Sequence, residues 1–143
     1  MPHLHPVVVH FPIALLSAAI ILDASGVFLK NPVAIRSGWW IFLAGSVTLA
    51  ITVGTGLWAE TAVVIPPAAK DVFGAHEQIA FVASAIFSVL LLWRIGSRTA
   101  IPPANRMVFL GLYLVGVVLL WMGGLYGGEL VYQHAVGVQG LMH

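Results

Sequence analysis

Histidines and carboxylates are the residues of this chain whose types and spacing suit chemistry. Imidazole is the commonest metal ligand near neutral pH and also binds haem iron. Carboxylates bind metal ions as well, or accept protons released beside a cofactor. The chain contains six histidines and five acidic residues. Eight of these residues lie outside or just within the ends of long apolar segments: His3, His5, His10, His76, His134, Glu60, Glu77 and Glu129.

The apolar segments indicate a membrane protein. Of the 143 residues, 60% are hydrophobic and only 8% are charged, and the mean hydropathy is +1.01. A soluble domain carries about 25% charged residues. The net charge of +1 and the absence of a basic arm argue against nucleic-acid binding. Cysteine is absent, which excludes disulfides, thiolate metal sites, iron–sulfur clusters and thioether-attached haem within this chain.

Four segments are long enough to cross a bilayer, which takes about 20 apolar residues of helix. They cover about 10–29, 37–59, 74–95 and 106–127, with prolines between them. The first has no charged leader before it and is interpreted as a permanent span. No alternation typical of strands persists. We therefore predict one all-α domain over residues 1–143, an antiparallel four-helix transmembrane bundle.

Basic residues predict the orientation of the bundle. Lys30 and Arg36 flank the first loop, and Arg94, Arg98 and Arg106 flank the third. Short loops rich in Lys and Arg stay in the cytoplasm. Both termini and the middle loop are therefore expected on the outer, periplasmic side of the membrane.

The helical rise of about 1.5 Å per residue then gives the depth of each histidine. Counting back one span length from Lys30 reaches His10, and the same count from Arg94 reaches His76. His134 follows the fourth span in an interfacial turn or short helix, and His5 lies in the arm that enters the first span. Four separate parts of the chain thus bring a histidine to one outer layer.

Three interpretations of this layer stay open. A b-type haem needs two imidazoles from different helices, and His10 with His76 is the preferred axial pair, with His134 as the substitute and His5 at the rim. A single copper, zinc or iron ion bound by His10, His76 and His134 is the alternative. In the third interpretation the protein holds no cofactor and anchors a larger complex. Residues expected around the ligands are Glu60, Glu77, Glu129 and Tyr132.

Two further features lie outside this layer. Asp23 is the only ionisable residue well inside a span; a proton-relay or quinone site is possible, but an interaction with Ser25, Arg36 or Arg94 is favoured. Glycines on the fourth span permit close helix packing, within the chain or in a homodimer. They are Gly123, Gly124, Gly127 and Gly128. His3 and His143 lie near the termini, and no role is expected for them.

Two motifs resemble a bacterial integral-membrane family catalogued as a domain of unknown function. They are HPVVVHFPIAL at residues 5–15 and GGELVYQHAVGV at 127–138, where Ala135 stands in place of the family's usual glycine. The resemblance covers nearly the whole chain and places His5, His10 and His134 inside the motifs. It implies a small four-helix membrane protein, sometimes associated with respiratory or c-type cytochrome components, and no established activity.

These observations together lead to an expected function. We expect a multi-pass subunit of the bacterial inner membrane, surrounded by lipid, that holds one haem b near its periplasmic face. Its expected role is to transfer electrons from a membrane quinol to a periplasmic cytochrome or a respiratory complex. It is expected to be a redox subunit rather than a stand-alone enzyme.

Overall fold

The computed structural model describes residues 4–98 and 100–137 of the chain. His3, Val138 and His143 lie outside the described residues. Every regular element in the described part is helical, as the sequence predicts. The α-helices are α1 (Leu4–Val8), α2 (His10–Phe28), α3 (Pro32–Glu60), α4 (Lys70–Gly96) and α5 (Arg106–Tyr132), and a short 3₁₀ turn, Pro67–Ala69, precedes α4.

Four helical stretches are long and apolar enough to cross a membrane. They are Leu4–Phe28, which joins α1 and α2, Pro32–Glu60, Pro67–Gly96 and Arg106–Tyr132. Most of them begin or end several residues outside the predicted apolar segments. Hydropathy marks the part of a helix that lies in the hydrocarbon layer, and the helices extend beyond it. At the start of α3, for example, the Asn31 side chain accepts hydrogen bonds from the backbone N–H groups of Val33 and Ala34 at 3.0 and 3.2 Å, and Pro32 occupies the first turn.

The helices form a bundle in which α2 packs against α3 and α5, and α4 packs against α5 and α3. Its hydrophobic core contains residues from all four long helices, including Leu16, Phe42, Phe87 and Tyr113. The Tyr113 ring packs edge-on against Phe42, Phe87 and Phe109, with centroid distances of 5.3, 5.5 and 6.2 Å. Such edge-to-face contacts add to the energy of burial.

A buried ion pair joins helices at one end of the bundle, which we call the basic end. Both side chains of the pair, Asp23 on α2 and Arg94 on α4, are completely buried. The Arg94 guanidinium donates to both carboxylate oxygens of Asp23 and, at 3.2 Å, to the backbone carbonyl of Ile35. It also lies over the Trp39 and Phe42 rings. The interpretation that Asp23 pairs with a basic residue is therefore confirmed, and the partner is Arg94.

Glycines allow the helices to approach closely at several contacts within the chain. A Cβ atom on Gly38 of α3 would lie 2.2 Å from the Asp23 carboxylate, so only glycine fits there. On α5, Gly124 faces Ile13 and Gly127 faces the His76 ring. These glycines of the fourth span thus serve packing inside one chain.

Candidate histidine site

The site forms where α1 lies against α3, close to a proline near the start of α2. Pro12 lacks the backbone N–H that would bond the carbonyl of Val8 four residues earlier. In a membrane protein a freed carbonyl needs another donor. The Thr52 hydroxyl on α3 donates to the Thr48 carbonyl of its own helix at 2.8 Å and makes only a longer contact, at 3.4 Å, with the Val8 oxygen. The same segment of α3 then receives the only histidine of α1.

His5 is held against α3 by its Nδ1 atom. This atom lies 3.1 Å from the backbone carbonyl oxygen of Thr52 and 3.4 Å from the Thr55 hydroxyl oxygen. Gly56 lies next to the ring, since a Cβ there would be 3.0 Å from the His5 Cε1 atom. A carbonyl oxygen only accepts hydrogen bonds, so Nδ1 carries the proton. In the neutral ring this leaves a free lone pair on Nε2.

His76 on α4 is held in the same way by α5. Its Nδ1 atom lies 2.9 Å from the backbone carbonyl oxygen of Gly123. Gly127, one turn further along α5, lies beside the ring, where a Cβ would be 3.2 Å from Cε1. His76 therefore also presents Nε2 as its free nitrogen. A backbone carbonyl on Nδ1 is the usual partner that orients a metal-ligating histidine.

The two rings lie close together and perpendicular. Their centroids are 6.2 Å apart, and the angle between their planes is 86°. Neither Nε2 atom has a hydrogen-bond partner among the described residues, and neither is completely buried. Two nitrogen atoms that bind one metal at about 2 Å each lie about 4 Å apart, which this ring separation permits. We call His5 and His76 the histidine pair, and the end of the bundle that contains it the histidine end.

His10 lies outside the pair, although depth counting along the sequence matched it with His76. It is exposed at the start of α2. The buried residues of α2 include Pro12, Leu16 and Ala19, and His10 precedes Pro12 by two residues, or about 200° around the helix. Depth counting gives the position of a residue along the helix axis but not the side of the helix on which it lies. It therefore matched His10 to His76 only in their expected distance from the helix ends. His76 precedes the buried Ala83 by seven residues, about two turns, and thus faces inward.

The other predicted residues surround the site without joining the pair. His134 is half-buried in the turn after α5, and Glu129 is half-buried on α5, where it borders a shallow groove with Leu125 and Tyr126. Glu77 is half-buried beside His76 on α4. Glu60 is exposed at the end of α3, and Tyr132 is 90% exposed.

A metal site with three or more side-chain ligands is not formed by the described part of the chain. No group of three or more His, Cys, Asp or Glu residues there is placed to hold a metal ion. The predicted cluster of His10, His76 and His134 is therefore not assembled in the structure. The donors that are brought together are the two nitrogen atoms of the histidine pair.

Sequence reasoning missed the residues that hold the pair in place. Thr52 and Thr55 belong to a Thr-x-x-Thr-Gly run that ends at Gly56 near the end of α3. Their backbone and hydroxyl oxygens accept the His5 hydrogen bonds. The sequence did offer one signal for Thr52 and Thr55. They belong to a stretch of small and polar residues inside the otherwise apolar second span, close to the end at which the histidines were expected. Gly123 contributes through its backbone carbonyl, which no sequence pattern reveals.

Comparison with protein families gives one match. The family model described as "Predicted membrane protein (DUF2231)" matches residues 2–140. The chain belongs to this family. The description as a membrane protein agrees with the four apolar helices of the structure, each long enough to cross a membrane. No curated protein is detectably similar to the chain, and no protein of solved structure is either.

Proposed function

We propose that this DUF2231 protein is an electron-transfer subunit of the bacterial inner membrane that binds one haem b between His5 and His76. One observation carries the proposal. The centroids of two imidazoles from different helices lie 6.2 Å apart, and each ring is held by a backbone carbonyl on Nδ1, so that both Nε2 atoms are available as ligands.

The residues of the pair fit the requirements of a bis-histidine haem. The ligands come from separate helices, α1 and α4, and neither is committed to another side chain through Nε2. Gly56 and Gly127 beside the rings keep bulky side chains away from them. When bound, haem b carries one electron through the change between its two iron oxidation states. The chain's own contribution is to orient both rings through the carbonyls of Thr52 and Gly123.

The orientation of the bundle favours a periplasmic site. The exposed basic residues Lys30, Arg36, Arg98 and Arg106 flank the loops at the basic end, and loops rich in Lys and Arg favour the cytoplasmic side. His5 at the start of the chain reaches the end of α3, and His76 at the start of α4 reaches the end of α5. These contacts support an antiparallel bundle with both termini and the histidine pair in the periplasm.

The partners follow from that position. A quinol in the surrounding lipid is the proposed electron donor, and a periplasmic cytochrome or a respiratory complex is the proposed acceptor. Glu77, next to His76 in the chain and half-buried, is placed to take up a proton released nearby.

A visible spectrum tests the proposal. Protein purified from membranes is expected to show a sharp α band in the reduced-minus-oxidised difference spectrum, with one haem per chain by pyridine haemochrome assay. His5→Ala and His76→Ala are each expected to reduce the haem content at least tenfold, because each removes one axial ligand.

Two other histidines of the chain serve as matched controls. His10→Ala and His134→Ala remove imidazoles near the same end of the bundle without touching the pair, and both are expected to retain haem. Circular dichroism shows whether each variant keeps its helices. A featureless spectrum of folded wild-type protein, or haem loss in His10→Ala but not in His5→Ala, would contradict the assignment.

A single metal ion is the second candidate for the same pair. The close approach of the two rings favours it, since an ion bound by two Nε2 atoms needs no flat slot between the helices. Imidazole suits copper, zinc and iron. Elemental analysis of haem-free wild-type protein is expected to show one such ion per chain, lost in His76→Ala. If neither haem nor metal is bound, the protein is instead a cofactor-free anchor.

A further inference from the structure

The basic end of the bundle carries positive charge that no exposed acidic residue of the chain offsets there. Of the five acidic residues, only Asp23 lies at this end, and it is buried and paired with Arg94. The other four lie at the end of α3, the start of α4 and the last turn of α5, toward the histidine end: Glu60, Asp71, Glu77 and Glu129. A surface with charge of one sign favours a partner of the opposite sign.

The buried ion pair brings the two basic loops together. The Arg94 guanidinium on α4 bonds Asp23 on α2 and, at 3.2 Å, the backbone carbonyl of Ile35 on α3. Arg36 follows Ile35 directly, and Arg98 lies four residues beyond Arg94, just past the end of α4. The exposed charges of both loops thus belong to one surface. We call it the basic face, and it consists of Lys30, Arg36, Arg98 and Arg106.

Two residues of the basic face occupy backbone positions that favour glycine. Lys30 and Arg98 have φ of 54° and 55°, and each directly follows the cap of its helix, α2 or α4. At the end of α2 the backbone N–H of Asn31 donates to the carbonyl of Gly26 at 2.9 Å, the pattern of a helix end at which glycine is usual. A side chain in this conformation costs energy, and such costs are concentrated at functional sites. The two basic side chains therefore point to a binding role.

Exposed apolar side chains adjoin the basic face, which favours an amphiphilic partner. Leu29 directly precedes Lys30 and is exposed. Trp40, also exposed, lies one helical turn from Arg36 on the same side of α3. Tryptophan is enriched at the level of lipid head groups. A soluble anion interacts with the charges alone, whereas a phospholipid interacts with both the basic and the apolar side chains.

We propose that the basic face binds an anionic phospholipid, with the phosphate held between the first and third loops and the acyl chains along the exposed apolar residues beside them. Basic pockets between membrane helices bind head groups of this kind. The lipid site lies at the opposite end of the bundle from the histidine pair and does not require a cofactor.

Native mass spectrometry tests the proposal. The full chain in a neutral detergent is titrated with phosphatidylglycerol and, separately, with phosphatidylcholine that has the same acyl chains. Phosphatidylglycerol is expected to bind at least tenfold more tightly, because only this lipid has a net negative charge. Glycerol phosphate, which lacks the acyl chains, is expected not to compete at a tenfold excess. Equal affinities for the two lipids, or competition by glycerol phosphate, would overturn the proposal.

Variants that remove one charge locate the site. Arg36→Gln and Arg98→Gln are each expected to weaken phosphatidylglycerol binding roughly fivefold, the effect of one basic residue at a membrane surface. Lys70→Gln removes an exposed basic residue at the start of α4, toward the histidine end, and is expected to leave the affinity unchanged. Circular dichroism shows whether each variant keeps its helices. Equal weakening by all three substitutions, or none by either arginine variant, would contradict a site on the basic face.

The left-handed backbone at Lys30 separates lipid binding from folding. Lys30→Gly is expected to weaken phosphatidylglycerol binding roughly fivefold and yet to raise the midpoint of unfolding by sodium dodecyl sulfate, because glycine relieves the backbone. Lys30→Gln is the matched control, since it removes the charge and keeps a side chain. It is expected to weaken binding equally without raising the midpoint. Unchanged lipid binding in both variants would overturn the proposal.

Discussion

The polar residues inside this bundle are satisfied to different degrees at its two ends. At the basic end, Asp23 and Arg94 are completely buried and form an ion pair with each other. The backbone carbonyl of Ile35 accepts a further hydrogen bond from Arg94. At the histidine end, His5 and His76 each use one ring nitrogen and leave the other available. Breaking a buried ion pair is costly because it leaves an unpaired charge. The ion pair thus serves stability, whereas the free nitrogens are suited to binding.

The role of the ion pair predicts the effect of adding one methyl group. Gly38→Ala places a Cβ atom against the Asp23 carboxylate and forces α2 and α3 apart. We expect the free energy of unfolding to fall by roughly 1–3 kcal/mol, as overpacking of a close contact does. Unfolding in detergent micelles by titration with sodium dodecyl sulfate measures the change.

The matched control is a glycine in an open position of a similar helix. A Cβ on Gly111 of α5 meets no atom within 4 Å, so Gly111→Ala is expected to raise the free energy of unfolding by about 0.5–1 kcal/mol, because alanine is the better helix former. Equal effects of the two substitutions would show that the Asp23 contact does not depend on glycine at position 38.

Among the helical elements, α1 and the end of α5 depend most on contacts outside themselves. Helix α1 has five residues, too few to be stable in isolation, and His5 and Val8 attach it to α3. After α5, Ala135 adopts a left-handed conformation with φ of 51°. There the backbone N–H of Val136 donates to the carbonyl of Leu130 at 2.9 Å. The turn that carries His134 therefore contains a backbone conformation that favours glycine.

This conformation predicts a stabilising substitution. An L-residue in the left-handed region costs about 1–2 kcal/mol, and glycine removes that cost while adding about 0.4–1 kcal/mol of unfolded-state entropy. Ala135→Gly is therefore expected to raise the free energy of unfolding by roughly 0.5 kcal/mol, measured in the same micelle titration.

Ala104→Gly, in the loop before α5, is the control for the general effect of glycine on the entropy of the unfolded chain. Ala104 is exposed and is not among the described residues with positive φ, so Ala104→Gly is expected to have no effect or a small destabilising one. A destabilising Ala135→Gly would show that the left-handed turn is not maintained in the membrane.

At the scale of the whole molecule, the distribution of charge predicts which side of the membrane each end faces. The chain contains no cysteine, so single cysteines report position without background. Ala62→Cys after α3 and Ala104→Cys before α5 mark the histidine and basic ends, and both alanines are exposed. In intact spheroplasts, a membrane-impermeant maleimide is expected to label Ala62→Cys at least tenfold more than Ala104→Cys.

Lysis provides the internal control for this experiment. Once the membrane is opened, both cysteines are expected to react equally, which shows that neither is shielded by protein. The reverse pattern in spheroplasts would place the histidine pair in the cytoplasm and exclude a periplasmic redox partner.

The sequence by itself determined the properties that depend on composition along the chain. Four apolar segments with prolines between them were enough to predict an all-helical membrane protein. The favoured interpretation of Asp23 as paired was also available, because a lone carboxylate at membrane depth needs a partner. These inferences succeed because hydropathy and helical rise are local quantities.

Only the tertiary structure decided which histidines meet. Depth counting paired His10 with His76, but His10 is exposed at the start of α2, and His5 takes the place beside His76. That outcome depends on the Thr52 carbonyl holding His5 and on the Gly123 carbonyl orienting His76. Backbone acceptors are present at every residue of every sequence. Which of them reaches a given side chain is therefore set by helix rotation and packing.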